Sequence, residues 1–178
     1  MDRDAPTITL LDYDRLEAAV NLVNELFPEE GITPAESLRS IFEPHLHPMD
    51  FAHGICDRIC WIAAQSTGEH PTHRIAGVVG LYRMWKDSDA LYLGWFGVQS
   101  VYRCKGVGER LLGHAIAEAR RAGVSHLRLD TTDAPGFASA NRLYERHGFA
   151  VAKRENIASE CTWPTVWREL PLADDRRR

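Results

Sequence analysis

The most informative part of the sequence is residues 95–112, which read WFGVQSVYRCKGVGERLL. The stretch starts as an apolar strand, passes through a basic turn that contains two glycines, and enters an amphipathic helix. A helix that begins at such a turn leaves unpaired backbone N–H groups and the positive end of its dipole facing into the turn. Gly106 and Gly108 have no side chain to hold an anion away from this backbone, and Arg103 and Lys105 add positive charge. The pattern predicts a phosphate-binding turn, with a simple tight turn as the alternative.

Two common nucleotide-binding motifs do not fit the same turn. The third glycine of a dinucleotide-binding Gly-x-Gly-x-x-Gly motif would fall at Leu111. A Walker-type phosphate loop would need a Gly-Lys-Ser/Thr ending, which the stretch does not contain. The turn therefore belongs to neither of these classes.

The segments on either side of this stretch alternate between strand and helix patterns. Strands are predicted at 7–11, 59–64, 74–85, 90–98, 126–130, 151–153 and 165–170. Helices are predicted at 14–27, 33–45, 106–121 and 138–147, with the first beginning at an Asp14-x-x-Glu17 capping box. Short connections between the strands after residue 58 favour an antiparallel meander. The order predicts an α/β fold in which helices cover a mixed sheet.

Two motifs in this order resemble the GNAT N-acetyltransferase family. The acetyl-CoA motif of that family, Gln/Arg-x-x-Gly-x-Gly/Ala, stands here as residues 103–108, RCKGVG. Residues 140–149, ANRLYERHGF, resemble its Ala-x-x-Leu-Tyr-x-x-x-Gly-Phe helix. The close resemblance covers residues 90–151. It implies an acyl-CoA N-acyltransferase fold, which is a mixed, mostly antiparallel twisted sheet with a central V-shaped splay, flanked by helices.

The resemblance also implies roles for individual residues. Backbone groups of Phe96, Gly97 and Val98 would pair with the pantetheine arm, and the N–H of Val98 would stabilise the oxyanion that develops on the thioester carbonyl. Tyr144 would lie beside the CoA sulfur and protonate the departing thiolate, the alternative being a packed core tyrosine. The turn would supply the other cofactor contacts, from Arg103, Cys104, Lys105, Gly106, Val107 and Gly108.

One position departs from the family pattern, and the general base has no motif of its own. The family often has asparagine seven residues before the tyrosine, where this chain has Phe137, and Asn141 is the predicted substitute for the pantetheine contact. Asp130, at the end of a predicted strand beside the cofactor cleft, is the first candidate for the base. Glu43 and Tyr92 follow it, and a solvated surface carboxylate is the alternative reading of the acidic candidates.

Composition sets limits on the class of protein. The chain has 178 residues, 44% of them hydrophobic, a net charge of −4 and a pI near 6.1, which argues against nucleic-acid binding. No apolar run approaches the roughly 18 residues of a membrane span, and no signal segment follows Met1, so we expect a cytoplasmic protein without a membrane partner. No internal boundary is visible, which predicts one domain over 1–172 and a charged tail over 173–178.

Cysteine and histidine residues give no clear metal pattern. Four cysteines are too few and too irregularly spaced for a secreted disulfide scaffold. The side chains that could ligate zinc within one short segment match no known spacing, so no metal is expected; they are His45, His47, His53, Cys56 and Cys60. Cys104 as an acyl-carrying nucleophile is disfavoured because no partner base is implied.

The expected function is transfer of the acetyl group of acetyl-CoA to a primary amine by direct attack in a ternary complex. A small-molecule amine is the first choice of acceptor. Acetylation of a protein N-terminus or lysine is the enzymatic alternative, and a non-catalytic acyl-CoA sensor is the alternative from another class. The sequence leaves the oligomeric state open, with a homodimer as one option.

Overall fold

The computed structural model describes residues 5–28, 34–46, 54–65, 74–156 and 162–172. Within these residues, seven strands form one sheet in the order β1-β2-β3-β4-β5-β7-β6. The strands are β1 (Thr7–Leu10), β2 (Ile55–Gln65), β3 (Arg74–Met84), β4 (Asp87–Val98), β5 (His126–Thr132), β6 (Ala150–Glu155) and β7 (Thr165–Pro171). The α-helices are α1 (Leu16–Leu26), α2 (Pro34–Arg39), α3 (Val107–Arg121) and α4 (Ala138–Arg146).

The pairing of the strands confirms the mixed, mostly antiparallel sheet. The first four strands form the predicted antiparallel meander. β5 pairs parallel to β4, because α3 crosses over between them, and β7 then pairs antiparallel to both β5 and β6. The single parallel pair lies at the centre of the sheet.

Helices cover both faces of the sheet, because alternate strand residues point to opposite sides. On one face, α3 and α4 pack on a core that includes Leu81, Leu93, Leu111, Leu112, Leu127 and Leu143. On the other face, α1 and α2 pack on a core that includes Val20, Val23, Leu38, Ile62 and Val78. Burying one such side chain contributes roughly 1.5–3 kcal/mol, so the two cores hold the central strands rigidly beneath the site.

The two N-terminal helices differ from their predictions. Asp14 does not cap the first one, whose N-cap residue is Arg15, without a side-chain cap hydrogen bond. A 3₁₀ turn at Tyr13–Arg15 precedes this helix, and Asp12 caps that turn, because its Oδ1 accepts a hydrogen bond of 3.0 Å from the Arg15 N–H. The capping-box prediction was therefore wrong. The second helix ends at Arg39, and the predicted continuation to His45 contains a separate 3₁₀ turn at Pro44–Leu46.

β4 and β5 separate at the centre of the sheet. They pair only at Ala90, Leu91 and Tyr92, although both strands continue beyond this point. In β4 the continuation contains a bulge, because two residues stand between the partners of Val78 and Gly80, and Trp95 there has a φ of 45°. The predicted V-shaped splay is present, and it opens a cleft between the end of β4 and the end of β5.

Some predictions fall outside the part of the chain that the structure describes. These are the charged tail 173–178 and the side chains of His47, His53 and Cys161. In the described ranges, none of the helices has the length and apolar character needed to cross a membrane.

Candidate active site

The free edge of β4 lines the cleft. Gly97 on β4 pairs with Val78, and the N–H of Gln99, which directly follows β4, donates to the Ala76 carbonyl at 2.9 Å, so both residues direct backbone groups toward β3. Backbone groups alternate along a strand, and those of Phe96 and Val98 therefore point into the splay. The sequence predicted one N–H group facing the cleft, that of Val98. The alternation along β4 directs the N–H of Phe96 to the same side.

The turn before α3 leaves the helix start uncapped. Gly106 is the N-cap residue, with a φ of 76°, and as a glycine it provides no side-chain cap for the N–H groups of the first turn. Arg110 donates the first intrahelical bond, to the Gly106 carbonyl at 3.1 Å, which leaves the N–H groups of Val107, Gly108 and Glu109 without a helical acceptor. Three donors and the helix dipole therefore face an open turn, as an anion site requires.

Gly108 closes the apolar side of this turn. A Cβ added there would lie 3.5 Å from Val98 Cγ2 and 3.7 Å from both Leu143 Cδ2 and Phe96 Cζ, which are ordinary contacts. The position therefore accepts a methyl group without a clash, in agreement with the Gly/Ala alternative of the motif. The residues present fit a diphosphate approaching the helix start from the open side.

The basic residues of the turn are exposed but not equivalent. Arg103 Nε donates to the Val98 carbonyl at 3.0 Å, so this side chain ties the turn to the end of β4. Lys105 Nζ lies 5.7 Å from the centre of the Tyr102 ring. Cys104 is exposed with a φ of 58°, and Val107 is 3% exposed and can offer only its backbone. The turn thus holds two cations near the free helix N-terminus.

Tyr144 lies at the inner end of the cleft, on α4. It is 6% exposed, and its ring centre lies 5.9 Å from that of Phe96 and 5.8 Å from that of Phe149. Burial raises its pKa above the ordinary value, the charge of Asp130 raises it further, and Arg168 opposes both. Within the described ranges its hydroxyl forms no hydrogen bond, and the hydroxyl oxygen is not among the fully buried atoms that lack a partner, so it keeps contact with the open cleft. A protonated phenol with a free donor is what a leaving thiolate needs.

Asn141 joins α4 to the end of β5 and has spare acceptor capacity. Its Nδ2 donates to the Thr132 carbonyl at 2.8 Å. Its Oδ1 is buried without a hydrogen-bond partner in the described part of the chain, which fits an amide N–H of a bound pantetheine arm. Phe137, at the position where the family often has asparagine, is 38% exposed at the start of the same helix.

Asp130 lies across the splay from the bulge of β4. Solvent reaches it, yet burial raises its pKa above the ordinary value, as expected for a carboxylate at the floor of a cleft. Among the described residues, no side chain forms an ion pair or hydrogen bond with it. Its charge acts on Tyr82 as well as on Tyr144, so Asp130 stands within electrostatic reach of both tyrosines.

The other two base candidates are less suitable. The Tyr92 hydroxyl donates to Asp87 Oδ2 at 2.6 Å, and burial followed by this bond raises the pKa of Tyr92. Glu43 follows α2, and its N–H donates to the Arg39 carbonyl at 2.9 Å. Tyr92 is thus engaged with Asp87, and Glu43 lies after α2 and not on either strand of the splay.

Three residues of the site were not singled out from the sequence. Tyr82 lies on β3 beside the cleft, Arg58 lies over the Tyr82 ring, and Arg168 is buried near Tyr144 with an ion pair of 3.0 Å to Glu145. Arg168 could have been noticed in the sequence, because it is a charged residue inside an apolar strand pattern. Tyr82 could have been noticed only from the register of its strand. The register becomes visible only once the strands are paired.

The cysteine and histidine segment does not form a metal site in the described ranges. No group of three or more potential ligands occurs there. Cys56 is exposed on β2 and its thiol contacts the Arg83 carbonyl at 3.5 Å, whereas Cys60 is 2% exposed in the core. Burial raises the pKa of Cys60 to about 12, so its thiol stays protonated and unreactive.

A splayed central strand pair followed by an uncapped, glycine-containing helix start defines the acyl-CoA N-acyltransferase class. The family model for the acetyltransferase (GNAT) family matches residues 17–149. The chain belongs to this family, whose acyl donor is acetyl-CoA. No curated protein matches the chain in sequence.

Solved structures with the same fold act on different acceptors. An aminoglycoside 6′-N-acetyltransferase complexed with coenzyme A has a TM-score of 0.70 at 16% identity, over 94% of this chain and 97% of that chain. The ribosomal-protein-S18-alanine N-acetyltransferase from Escherichia coli has a TM-score of 0.63 at 20% identity, over 94% of each chain. A chain of the NatC complex bound to Gag peptide and CoA has a TM-score of 0.71 at 19% identity, over 94% of this chain and 98% of that chain. At these identities the likeness shows the fold alone.

Proposed function

We propose that the protein transfers the acetyl group of acetyl-CoA to a primary amine of a small molecule by direct attack in a ternary complex. The observation that carries this proposal is the splay, which is flanked by backbone N–H groups of β4, the Tyr144 phenol and the Asp130 carboxylate, a carboxylate without a side-chain partner among the described residues. Acetyl-CoA supplies an activated thioester to this cleft. α2 covers part of the sheet face on the acceptor side, because its residues Ser37 and Leu38 line one small hollow together with Tyr82 and Trp95. This cover leaves limited space for the acceptor and favours a small molecule.

On the donor side, residues of the chain bind acetyl-CoA and polarise its thioester carbonyl. The N–H groups at the start of α3 hold the diphosphate, and Asn141 Oδ1 accepts from the pantetheine arm. The N–H of Val98 donates to the thioester carbonyl and stabilises the oxyanion that develops during attack, and the N–H of Phe96 lies on the same edge to assist it. Tyr144 then donates its hydroxyl hydrogen to the departing sulfur.

On the acceptor side, Asp130 is the proposed general base. An amine must be neutral to attack, so its ammonium form has to lose a proton in the cleft. A carboxylate with a raised pKa is a stronger base than an ordinary one, and the absence of a described cationic partner leaves Asp130 open to an incoming ammonium group. The acceptor therefore approaches from the face that bears Asp130, while Tyr144 reaches the splay from α4.

Asp130→Asn should lower activity and raise stability together. A carboxyl group whose pKa is raised in the folded state favours folding at low pH, and this stability is lost as pH rises from the ordinary aspartate value of about 3.9 through the folded pKa. The ionised side chain therefore destabilises the native state at neutral pH, so the variant should show a higher Tm at pH 7 and no difference below about pH 4. If Asp130 is the general base, the loss of its carboxylate should reduce kcat/KM by about 10²- to 10⁴-fold.

Asp133→Asn is the matched control for this variant. Asp133 lies three residues further along the chain and accepts a hydrogen bond of 3.1 Å from Arg154 Nε, so it has a cationic partner that Asp130 lacks among the described residues. Its replacement should leave activity unchanged and should not raise the Tm. Wild-type activity of Asp130→Asn would exclude the base role, and a lowered Tm would contradict an unpaired carboxylate.

Release of free CoA thiol across a panel of acceptors tests the proposed function. Small amines, peptides with free N-termini and peptides with internal lysines are each incubated with acetyl-CoA, and acetylated products are identified by mass spectrometry. Release with small amines alone supports the proposal. Release only with peptides would assign protein acetylation, and tight acetyl-CoA binding without release would assign a sensor.

A further inference from the structure

The C-terminal end of α4 is tied to the N-terminal end of α3 through one carboxylate. Glu109 lies in the first turn of α3, and Arg146 Nη2 donates to its Oε2 at 3.0 Å. His147 Nε2 lies 2.7 Å from its Oε1 and is the donor of this bond, because an ionised carboxylate only accepts. Both oxygens of Glu109 are therefore held from α4. We refer to Glu109, Arg146 and His147 together as the Glu109 clamp.

The place of Glu109 in the helix makes its side chain a competitor for the anion site. Counted from the N-cap residue Gly106, Glu109 is the third residue of α3. A glutamate at this position commonly turns back over the first turn and accepts a hydrogen bond from the backbone N–H of the N-cap residue. The helix dipole also attracts a carboxylate to the N–H groups that have no helical acceptor. Those are the groups that the diphosphate of acetyl-CoA needs.

The clamp holds this carboxylate on the α4 side of the turn. Both of its oxygens bond to α4, and the N-cap position of α3 has no side-chain cap. The hydrogen bond from Arg146, with a smaller contribution from that of His147, lowers the pKa of Glu109 below its ordinary value. Glu109 is therefore ionised at neutral pH, and a side chain released from the clamp would carry a full negative charge beside the turn.

Stability and the family motifs give little reason for the clamp. The Arg146 side chain is 63% exposed and that of Glu109 is 50% exposed, and ion pairs at such positions contribute little to folding. Arg146 and His147 stand at unspecified positions of the helix motif at 140–149, and Glu109 directly follows the motif at 103–108. The clamp therefore belongs to this chain's own sequence, and its effect on the neighbouring turn is the larger one.

We infer that the Glu109 clamp keeps the anion site at the start of α3 open for the diphosphate of acetyl-CoA. Arg146 and His147 are positioning residues, because they act on the cofactor through Glu109 and not by contact with it. By holding the carboxylate, they leave the backbone N–H groups and the positive end of the helix dipole to the cofactor. This inference rests on the proposed binding of the diphosphate at α3 and adds the residues that control access to it.

A double-mutant cycle on CoA affinity tests the clamp. Calorimetric titration with CoA is performed on the wild type, Arg146→Met, Glu109→Gln and the double variant. Arg146→Met should lower the affinity by about 3- to 10-fold, because the released carboxylate competes with the diphosphate and repels it. Glu109→Gln should raise the affinity by about twofold, because it removes a negative charge beside the diphosphate. In the Glu109→Gln background, Arg146→Met should change the affinity by less than about twofold, which is the signature of action through Glu109.

Arg142→Met is the matched control. Arg142 lies one turn earlier on α4, and its Nη2 donates to Ser139 Oγ at 3.3 Å, so this substitution removes the same charge from the same helix without releasing Glu109. Its CoA affinity should stay within about twofold of wild type.

Two further measurements separate the clamp from general support of α4. His147→Phe removes the second donor independently and should lower CoA affinity in the same direction, with the same rescue by Glu109→Gln. Steady-state kinetics of Arg146→Met should show a raised KM for acetyl-CoA and a nearly unchanged kcat, because a displaced α4 would carry Tyr144 with it and lower kcat.

The outcomes distinguish failure of the clamp from failure of the cofactor site. Equal losses from Arg146→Met in both backgrounds would overturn the clamp, because Arg146 would then act on the diphosphate itself. Unchanged CoA affinity in both Arg146→Met and His147→Phe would also overturn it, and in either case the cofactor site would stand. A wild-type protein that does not bind CoA would overturn the diphosphate site and the clamp together.

Discussion

Gly108→Glu is expected to abolish acetyl-CoA binding while the chain stays folded. A carboxylate in the first turn of α3 is stabilised by the same N–H groups and helix dipole that would hold the diphosphate, so the new side chain would occupy the anion site itself. Like charges about 4 Å apart near a protein surface repel by about 4 kcal/mol, which corresponds to about a thousandfold loss of affinity. Calorimetric titration with CoA measures the effect, and the melting temperature checks the fold.

Two further substitutions at the same position separate charge from volume. Gly108→Ala adds only a Cβ with contacts of 3.5 Å to Val98 and 3.7 Å to Leu143, so its CoA affinity should stay within about threefold of wild type. Gly108→Gln matches glutamate in size without the charge and should fall between the two. A folded Gly108→Glu variant with wild-type CoA affinity would exclude the turn as the diphosphate site.

The features that the sequence predicted well are those with local causes. The end of α4 depends on Gly148, which has a φ of 88°, a value that residues with side chains rarely adopt. The next N–H, that of Phe149, donates to the Tyr144 carbonyl at 3.0 Å and closes the last turn. The start of α3 depends in the same way on Gly106. Such signals lie within a few residues of what they determine, so they can be found in a sequence without pairing any strands.

The features that the sequence missed depend on pairing between distant segments. Tyr82 and Arg58 lie on one face only because β2 and β3 pair in one register, and a shift of β2 by one residue would send Arg58 to the other face. The bulge at Trp95 changes that register inside β4, and no local pattern indicates a non-glycine residue with a φ of 45°. The start of α1 shows a milder case, because Asp12 and Asp14 are both good N-cap residues, yet Asp12 caps the 3₁₀ turn that precedes the helix and neither of them caps α1 itself.

Both the local sequence motif and the fold support Tyr144 as the acid of the proposed reaction. The motif places Tyr144 on α4, and the fold adds that its hydroxyl is unpartnered in the described ranges and that Asp130 acts on it across the splay. Burial and a nearby negative charge keep the phenol protonated at neutral pH, so in the proposed reaction it would be available as a hydrogen-bond donor to the leaving sulfur. This combination predicts an effect on chemistry and not on binding.

Tyr144→Phe should therefore reduce turnover by about 10²- to 10⁴-fold and leave acetyl-CoA affinity nearly unchanged. The substitution removes one oxygen and keeps the ring, so the contacts with Phe96 and Phe149 persist. Because the hydroxyl forms no hydrogen bond with a described residue, its removal should leave the Tm nearly unchanged. We expect kcat, CoA affinity and Tm from one preparation to show this separation.

The leaving group provides the internal control for this prediction. A thioester of a more acidic thiol needs less help from a hydrogen-bond donor when the C–S bond breaks, so the deficit of Tyr144→Phe should shrink with such a donor substrate. A tyrosine that only packs would give the same relative activity with every thioester, and kcat would follow the folded fraction. Wild-type turnover in a folded Tyr144→Phe variant, measured where chemistry limits the rate, would exclude the role of Tyr144 as the acid.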